Sequence, residues 1–127
     1  MRLLLDTHAF LFFVFGNRRL TRTAATAIEN AEEVLVSAAS GYEITLKHAA
    51  GKLPEAGHVA RDVGAAAATM AARLLPISMA HAEAAGRLPR HHRDPFDRIL
   101  VAQALEEGLT LVSANVALDT FGIARLW

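Results

Sequence analysis

A chain of 127 residues, 53% hydrophobic and 20% charged, has the composition of one folded domain with a real core, which excludes an intrinsically disordered segment. Lys plus Arg balances Asp plus Glu at 13 each, so no global field draws the protein to nucleic acid or membrane, and any such role rests on local patches. The absence of cysteine excludes a disulfide framework and thiolate metal sites, and a cytoplasmic setting is expected.

Leu3-Leu4-Leu5 is a short apolar run stopped by a charge, the pattern of a buried parallel strand. The start, with Arg2 ahead of it and Ala9 to Phe15 behind, has the outline of an export signal. Asp6 and His8 interrupt it, and it falls short of the roughly 20 residues of a membrane span, so no export or membrane segment is expected. Asp6-Thr7 leads into an apolar helical stretch that ends near Gly16-Asn17. Thr21 can cap a helix over Arg22 to Glu33, and Val34 to Val36 forms a second buried strand. Ser40, with Glu43 three residues on, has the spacing of a capping box and predicts a helix presenting Ile44, Leu46 and Ala50 up to Gly51. An Ala-rich helix over Ala56 to Ala72 precedes a strand over Leu74 to Ile77, and Ser78 opens a helix to about Gly86.

The basic loop Arg87 to Arg93 then meets the most complete start signal in the chain. Asp94 can cap, Pro95 suits the first helical position because its missing N–H needs no partner there, and Asp97 closes the first turn. That helix ends at Gly108. Leu109 to Val112 is a strand, Ser113 to Asn115 a turn, and Ile123 to Leu126 a last strand. Apolar runs alternating with amphipathic helices predict one α/β domain over residues 1–127, its central and mostly parallel sheet flanked by helices.

In such a fold each strand's C-terminal end and the start of the next helix share one edge of the sheet, where ligands bind. Asp6, Glu43, Asp94, Asp97, Ser113 and Asn115 are all expected there. Singly, each has a structural explanation as a cap or turn residue. Jointly, several carboxylates would repel one another unless a cation neutralised them, and oxygen ligands without cysteine suit Mg²⁺ or Mn²⁺. An acid-lined divalent site suits phosphoryl chemistry. A receiver domain would want paired acids after the first strand, and a dehalogenase-type phosphatase an acid where His8 stands. No GxxxxGK[ST] or GxSxG motif is present.

Four stretches carry a family resemblance: LLLDTHAFLFF (Leu3 to Phe13), SAASGYEITLKHAAGKL (Ser37 to Leu53), HRDPFDRILVAQA (His92 to Ala104) and LTLVSANVALDTFGI (Leu109 to Ile123). In order and spacing they resemble PIN-domain proteins, in particular the toxins of VapC-type toxin–antitoxin pairs. The resemblance implies a metal-dependent ribonuclease with Mg²⁺ or Mn²⁺ held by Asp6, Glu43 and Asp97, and Asp94 contributing beside them. It implies in-line attack of a cation-activated water on an RNA phosphodiester. Ser113, Asn115 and Thr7 would support the site. Asn115 stands where the family often has a fourth acid, so a second cation should bind more weakly. Tyr42, where many relatives carry Trp, reads as packing.

Lys47, one turn after Glu43, is either an ordinary helix pair or a phosphate contact. His92, Arg93 and Arg98, with Arg90 and His91, form a basic cluster suited to the RNA backbone, with a solvated loop as the alternative. Phe10, Phe12, Phe13 and Phe15 are either core or a contact surface for a second subunit or an antitoxin. The implied partners are RNA, a cognate antitoxin and a second copy of the chain, with DNA met only through the antitoxin and no membrane. The competing reading is a PIN-like module, weakened at Asn115, that binds a partner without cutting.

Overall fold

A computed structural model describes residues 1–127 and contains one five-stranded sheet in the order β3-β2-β1-β4-β5, every neighbouring pair parallel. The strands are β1 (Arg2–Leu5), β2 (Glu33–Ser37), β3 (Arg73–Leu75), β4 (Thr110–Val112) and β5 (Arg125–Leu126). The helices are α1 (Thr7–Phe15), α2 (Arg22–Asn30), α3 (Ala38–Ala49), α4 (Gly57–Ala60), α5 (Val63–Thr69), α6 (Met79–Arg87) and α7 (Pro95–Glu107), with 3₁₀ turns at Pro54–Ala56 and Val116–Phe121.

β1 is the centre because it can be buried on both faces. Leu3 and Leu5 point into one apolar cluster, with Phe10, Ile28, Val36 and Ile44, while Leu4 points into the other, with Leu35, Leu100, Val101 and Leu111. Their alternation is the two-residue period of a strand. Helices α1 to α5 supply the first cluster and α7 the second. Phe10 is fully buried, which contributes about 1.5–3 kcal/mol, so this member of the phenylalanine series is core. Phe12 and Phe13 pack on the same cluster from its margin, and Phe15 is exposed.

Several expected boundaries move. The cap of α3 is Ser37, whose Oγ accepts from the Ala39 N–H at 3.0 Å, and Ser40 lies fully buried inside the helix. The Ser40–Glu43 capping box is therefore absent, because pairing with β1 and β3 carries β2 to Ser37 and the helix begins directly after it. The helix expected over Ala56 to Ala72 is broken. Asp62 accepts from the Ala65 N–H at 2.9 Å and so starts a new helix in mid-segment, the competition a short acidic side chain offers to helix continuation. β3 starts one residue earlier than expected and ends two earlier, before Pro76, which has no N–H to extend a ladder. α2 stops at Asn30 because β2 begins at Glu33.

The chain winds outward from β1 through β2 to β3, then returns past β1 to lay down β4 and β5. Connections leave β1 and β4 in opposite directions, which opens a crevice at the carboxyl ends of these two strands. Asp6 and Ser113 are the first residues beyond them, and the Asp6 N–H still donates to the Val112 carbonyl at 3.0 Å.

Candidate active site

Asp6 ends β1 and caps α1, its Oδ1 accepting from the Ala9 N–H at 2.8 Å. Burial pushes its carboxyl above the usual carboxylate range. The Ala9 N–H, the Ser113 hydroxyl and His8 pull it part of the way back, and Asp97 raises it further. Ser113 is fully buried and its Oγ accepts from the Asn115 N–H at 3.1 Å, which fixes the turn beside the carboxylate.

Glu43 projects from the second turn of α3 and is only 6% exposed. Thr7 Oγ1 lies 2.5 Å from Glu43 Oε1 and 3.0 Å from Ser40 Oγ. A hydroxyl has one proton to give, and the carboxylate is the stronger acceptor, so Thr7 donates to Glu43 and Ser40 completes the chain. The other oxygen, Oε2, pairs with the Lys47 ammonium one turn on, and that ammonium also sits 5.8 Å from the centre of the Phe96 ring. Tyr42 meets Phe96 edge-on at 5.6 Å while staying largely exposed.

Asp97 enters from the start of α7. Asp94 caps that helix, accepting from the Phe96 and Asp97 N–H groups at 2.9 and 3.1 Å, and is itself exposed. Burial raises the Asp97 carboxyl, His92 lowers it through a hydrogen bond from Nε2 to Oδ2 at 2.9 Å, and the charges of Asp94 and Glu43 raise it again. His92 is held edge-on against Phe121, and His91 stacks on the same ring at 5.0 Å.

Three acids from distant parts of the chain thus act on one another across the crevice. They differ in what compensates them. Glu43 is neutralised by Lys47, whereas Asp6 and Asp97 have no lysine or arginine partner. No three acidic or imidazole groups stand close enough together to hold an ion as the side chains lie. The donor chemistry nevertheless fits a hard divalent cation at Asp6 and Asp97. Both are oxygen ligands whose ionisation is disfavoured by burial and by neighbouring acids, a cost that a cation would relieve.

The remaining expected residues divide. Asn115 caps the 3₁₀ turn after β4, its Oδ1 accepting from the Ala117 N–H at 3.1 Å. Arg93 is exposed and lines, with Arg90, His92 and Arg98, a cleft of about 340 Å³ without an apolar side chain. Arg98 has a different employment. Its two terminal nitrogens donate to the carbonyls of Ala85, Leu88, Pro89 and His92 at 2.7–2.9 Å, which ties the end of α6 and the basic loop to α7. Sequence reasoning missed the Ser40–Thr7–Glu43 relay and the seating of His92 on Phe121, for which no local spacing gives a signal.

The PIN domain family matches residues 3–122. The chain is a PIN domain. Members of this family are typically nucleases and generally depend on metal ions. Solved structures with the same fold include VapBC2 from Rickettsia felis bound to a DNA fragment from its promoter, at 13% identity and a TM-score of 0.72 over 99% of this chain and 98% of that one. FitAcB from Neisseria gonorrhoeae is similar at 19% identity and 0.71, covering 98% and 96%. VapC20 from Mycobacterium tuberculosis, a Sarcin-Ricin loop cleaving toxin, is similar at 18% identity and 0.70, covering 98% of each chain. Comparison with curated protein sequences gives no match. No helix of this PIN domain is long and apolar enough to cross a membrane.

Proposed function

We propose that this PIN domain is a metal-dependent endoribonuclease acting as the toxin of a toxin–antitoxin pair. The observation that carries the reading is the placing of Asp6 and Asp97 at the topological switch point, both held above the usual carboxylate range and neither paired with a lysine or arginine. Asp6 and Asp97 would hold Mg²⁺ or Mn²⁺. When bound, such a cation stabilises charge on the phosphate and makes water a stronger nucleophile. Glu43, fixed by Thr7 and Lys47, orients the attacking water from its buried position, and the Ala9 N–H holds Asp6 in place. Arg90, Arg93 and His92 receive the RNA backbone in the basic cleft, where Arg98 supplies structure. Lys47 stands ready to contact phosphate if it leaves Glu43.

A toxin–antitoxin complex from Klebsiella pneumoniae and the DNA-bound VapBC2 share this fold, and by that likeness this chain would pair with a protein antitoxin, dimerise with itself, and meet DNA only through that partner. The competing reading, a binding module that cuts nothing, draws on the neutralised Glu43 and on Asn115 as a cap.

The deciding experiment measures cleavage of RNA with Mn²⁺, Mg²⁺ or EDTA by the purified chain and by Asp97→Asn, with thermal melting in parallel. Cleavage and a Mn²⁺-induced rise in Tm, both lost in Asp97→Asn, are expected. A cation present at about a hundred times its Kd stabilises by roughly 2.7 kcal/mol. A folded protein that neither cuts RNA nor melts higher with Mn²⁺ would establish the binding module instead.

A further inference from the structure

Asp6 also walls a second cleft, of about 330 Å³, whose other lining residues are His8, Phe12, Ala114, Asn115 and Trp127. This volume lies at the lower end of cavities that take small organic ligands, roughly 300–1,000 Å³. Phe12 is its centre. The His8 ring lies 5.9 Å from it, tilted by 51°, and the Trp127 ring 6.4 Å away, tilted by 57°. Rings inclined in this way are not stacked face to face on one another. Phe12 and Trp127 are partly buried against the core, which fixes the walls, and the Arg19 guanidinium sits 5.8 Å over Phe12. Asn115 contributes a polar edge. Its Oδ1 is committed to the Ala117 N–H, while its amide donors have no protein acceptor.

We infer that this cleft is a nucleobase-stacking subsite, which seats a base flanking the phosphate at Asp6 and so selects single-stranded RNA. The inference rests on the nuclease reading of Asp6. A phosphodiester at Asp6 is covalently flanked by two nucleosides, so a base must lie beside it, and the aromatic cleft adjoins that position. The cleft is lined by aromatic rings with no lysine or arginine among them, and Arg19, which meets Phe12, lines the neighbouring cleft, so this one suits a base face better than a phosphate. The phosphates have their own cleft at Arg90 and Arg93. Stacking on aromatic rings reads an unpaired base, and a duplex does not offer one.

Trp127 is the only tryptophan, so its fluorescence reports on this cleft alone. The test titrates the intact chain, in EDTA, with a short single-stranded RNA of randomised sequence and with an abasic strand of equal length. Saturable quenching by the base-bearing strand and none by the abasic strand is expected. Anisotropy of labelled RNA should show affinity falling about tenfold in Trp127→Ala and in Phe12→Leu, with Trp127→Phe close to the parent. Equal binding of both strands, or unchanged affinity in both weakened variants, overturns the subsite, and a Mn²⁺-dependent cleavage that persists would leave the nuclease reading standing. Quenching by RNA in a protein that cuts nothing would keep the subsite and remove the nuclease.

Discussion

Thr7 is the residue through which two helices agree on the position of one carboxylate. Its buried hydroxyl on α1 holds Glu43 on α3, and Ser40 backs it from the same helix. Thr7→Val preserves shape and removes the donor, leaving a buried carboxylate oxygen short of a partner. The expected result is a loss of about 1–3 kcal/mol in denaturant unfolding and of roughly 10–100-fold in cleavage or Mn²⁺ affinity. Thr7→Ser should recover most of both, and a Thr7→Val protein matching the parent in each would refute the relay. Glu43 was legible as a candidate acid, but its support was not. A Ser three residues ahead of a Glu reads as a capping box, and only the register of β2 against its neighbours hands the cap to Ser37 and turns Ser40 inward.

Helix α7 shows the same division at the scale of an element. Its start was legible because capping is local: Asp94 accepts from the N–H groups of Phe96 and Asp97, and Pro95 takes the position where an N–H is dispensable. Arg98 reads in sequence as one more positive charge beside the acids. In three dimensions it is the clamp on the α6–α7 connection, gathering carbonyls of residues that precede it. A planar fork of donors can serve four carbonyls from fixed directions, and an ammonium cannot. Arg98→Lys is expected to lower stability by about 2–3 kcal/mol and to speed amide exchange across residues 88–93. It should also weaken catalysis, because His92 and through it Asp97 depend on that loop. If Arg98 instead served RNA, the same change would spare melting and exchange and weaken RNA binding alone.

The acids also bear on the stability of the whole molecule. Asp6 and Asp97 bind their protons more tightly in the fold than in the unfolded chain, mainly because burial disfavours their charged forms. The stability tied to their protonated forms is therefore complete below the ordinary carboxylate range and is lost as pH rises through the raised folded values. Asp6→Asn keeps the cap, since Asn serves as well as Asp there, and removes the ionisation. In EDTA, this variant should melt above the parent by several degrees at neutral pH, for each ~1 kcal/mol shifts Tm by roughly 2–8 °C in domains of such sizes. The gap should close in acid and shrink with Mn²⁺ in the parent. A variant that melts below the parent at neutral pH would show that Asp6 stabilises the fold outright.

The linear order of residues already carried the strands to within two residues, most helix starts and the candidate acids, because apolar periodicity, proline and capping chemistry act between residues near in the chain. It also set the mostly parallel α/β class, which the strand pairs exceed by being parallel throughout. Packing in three dimensions set β1 and β4 side by side and opened the crevice. It also decided that Glu43 is neutralised while Asp6 and Asp97 are not, that Arg98 is structural, and that Phe12 meets Trp127 beside Asp6. Charge compensation and contact depend on distance in space, and residues far apart along the chain acquire it only when the sheet order is set.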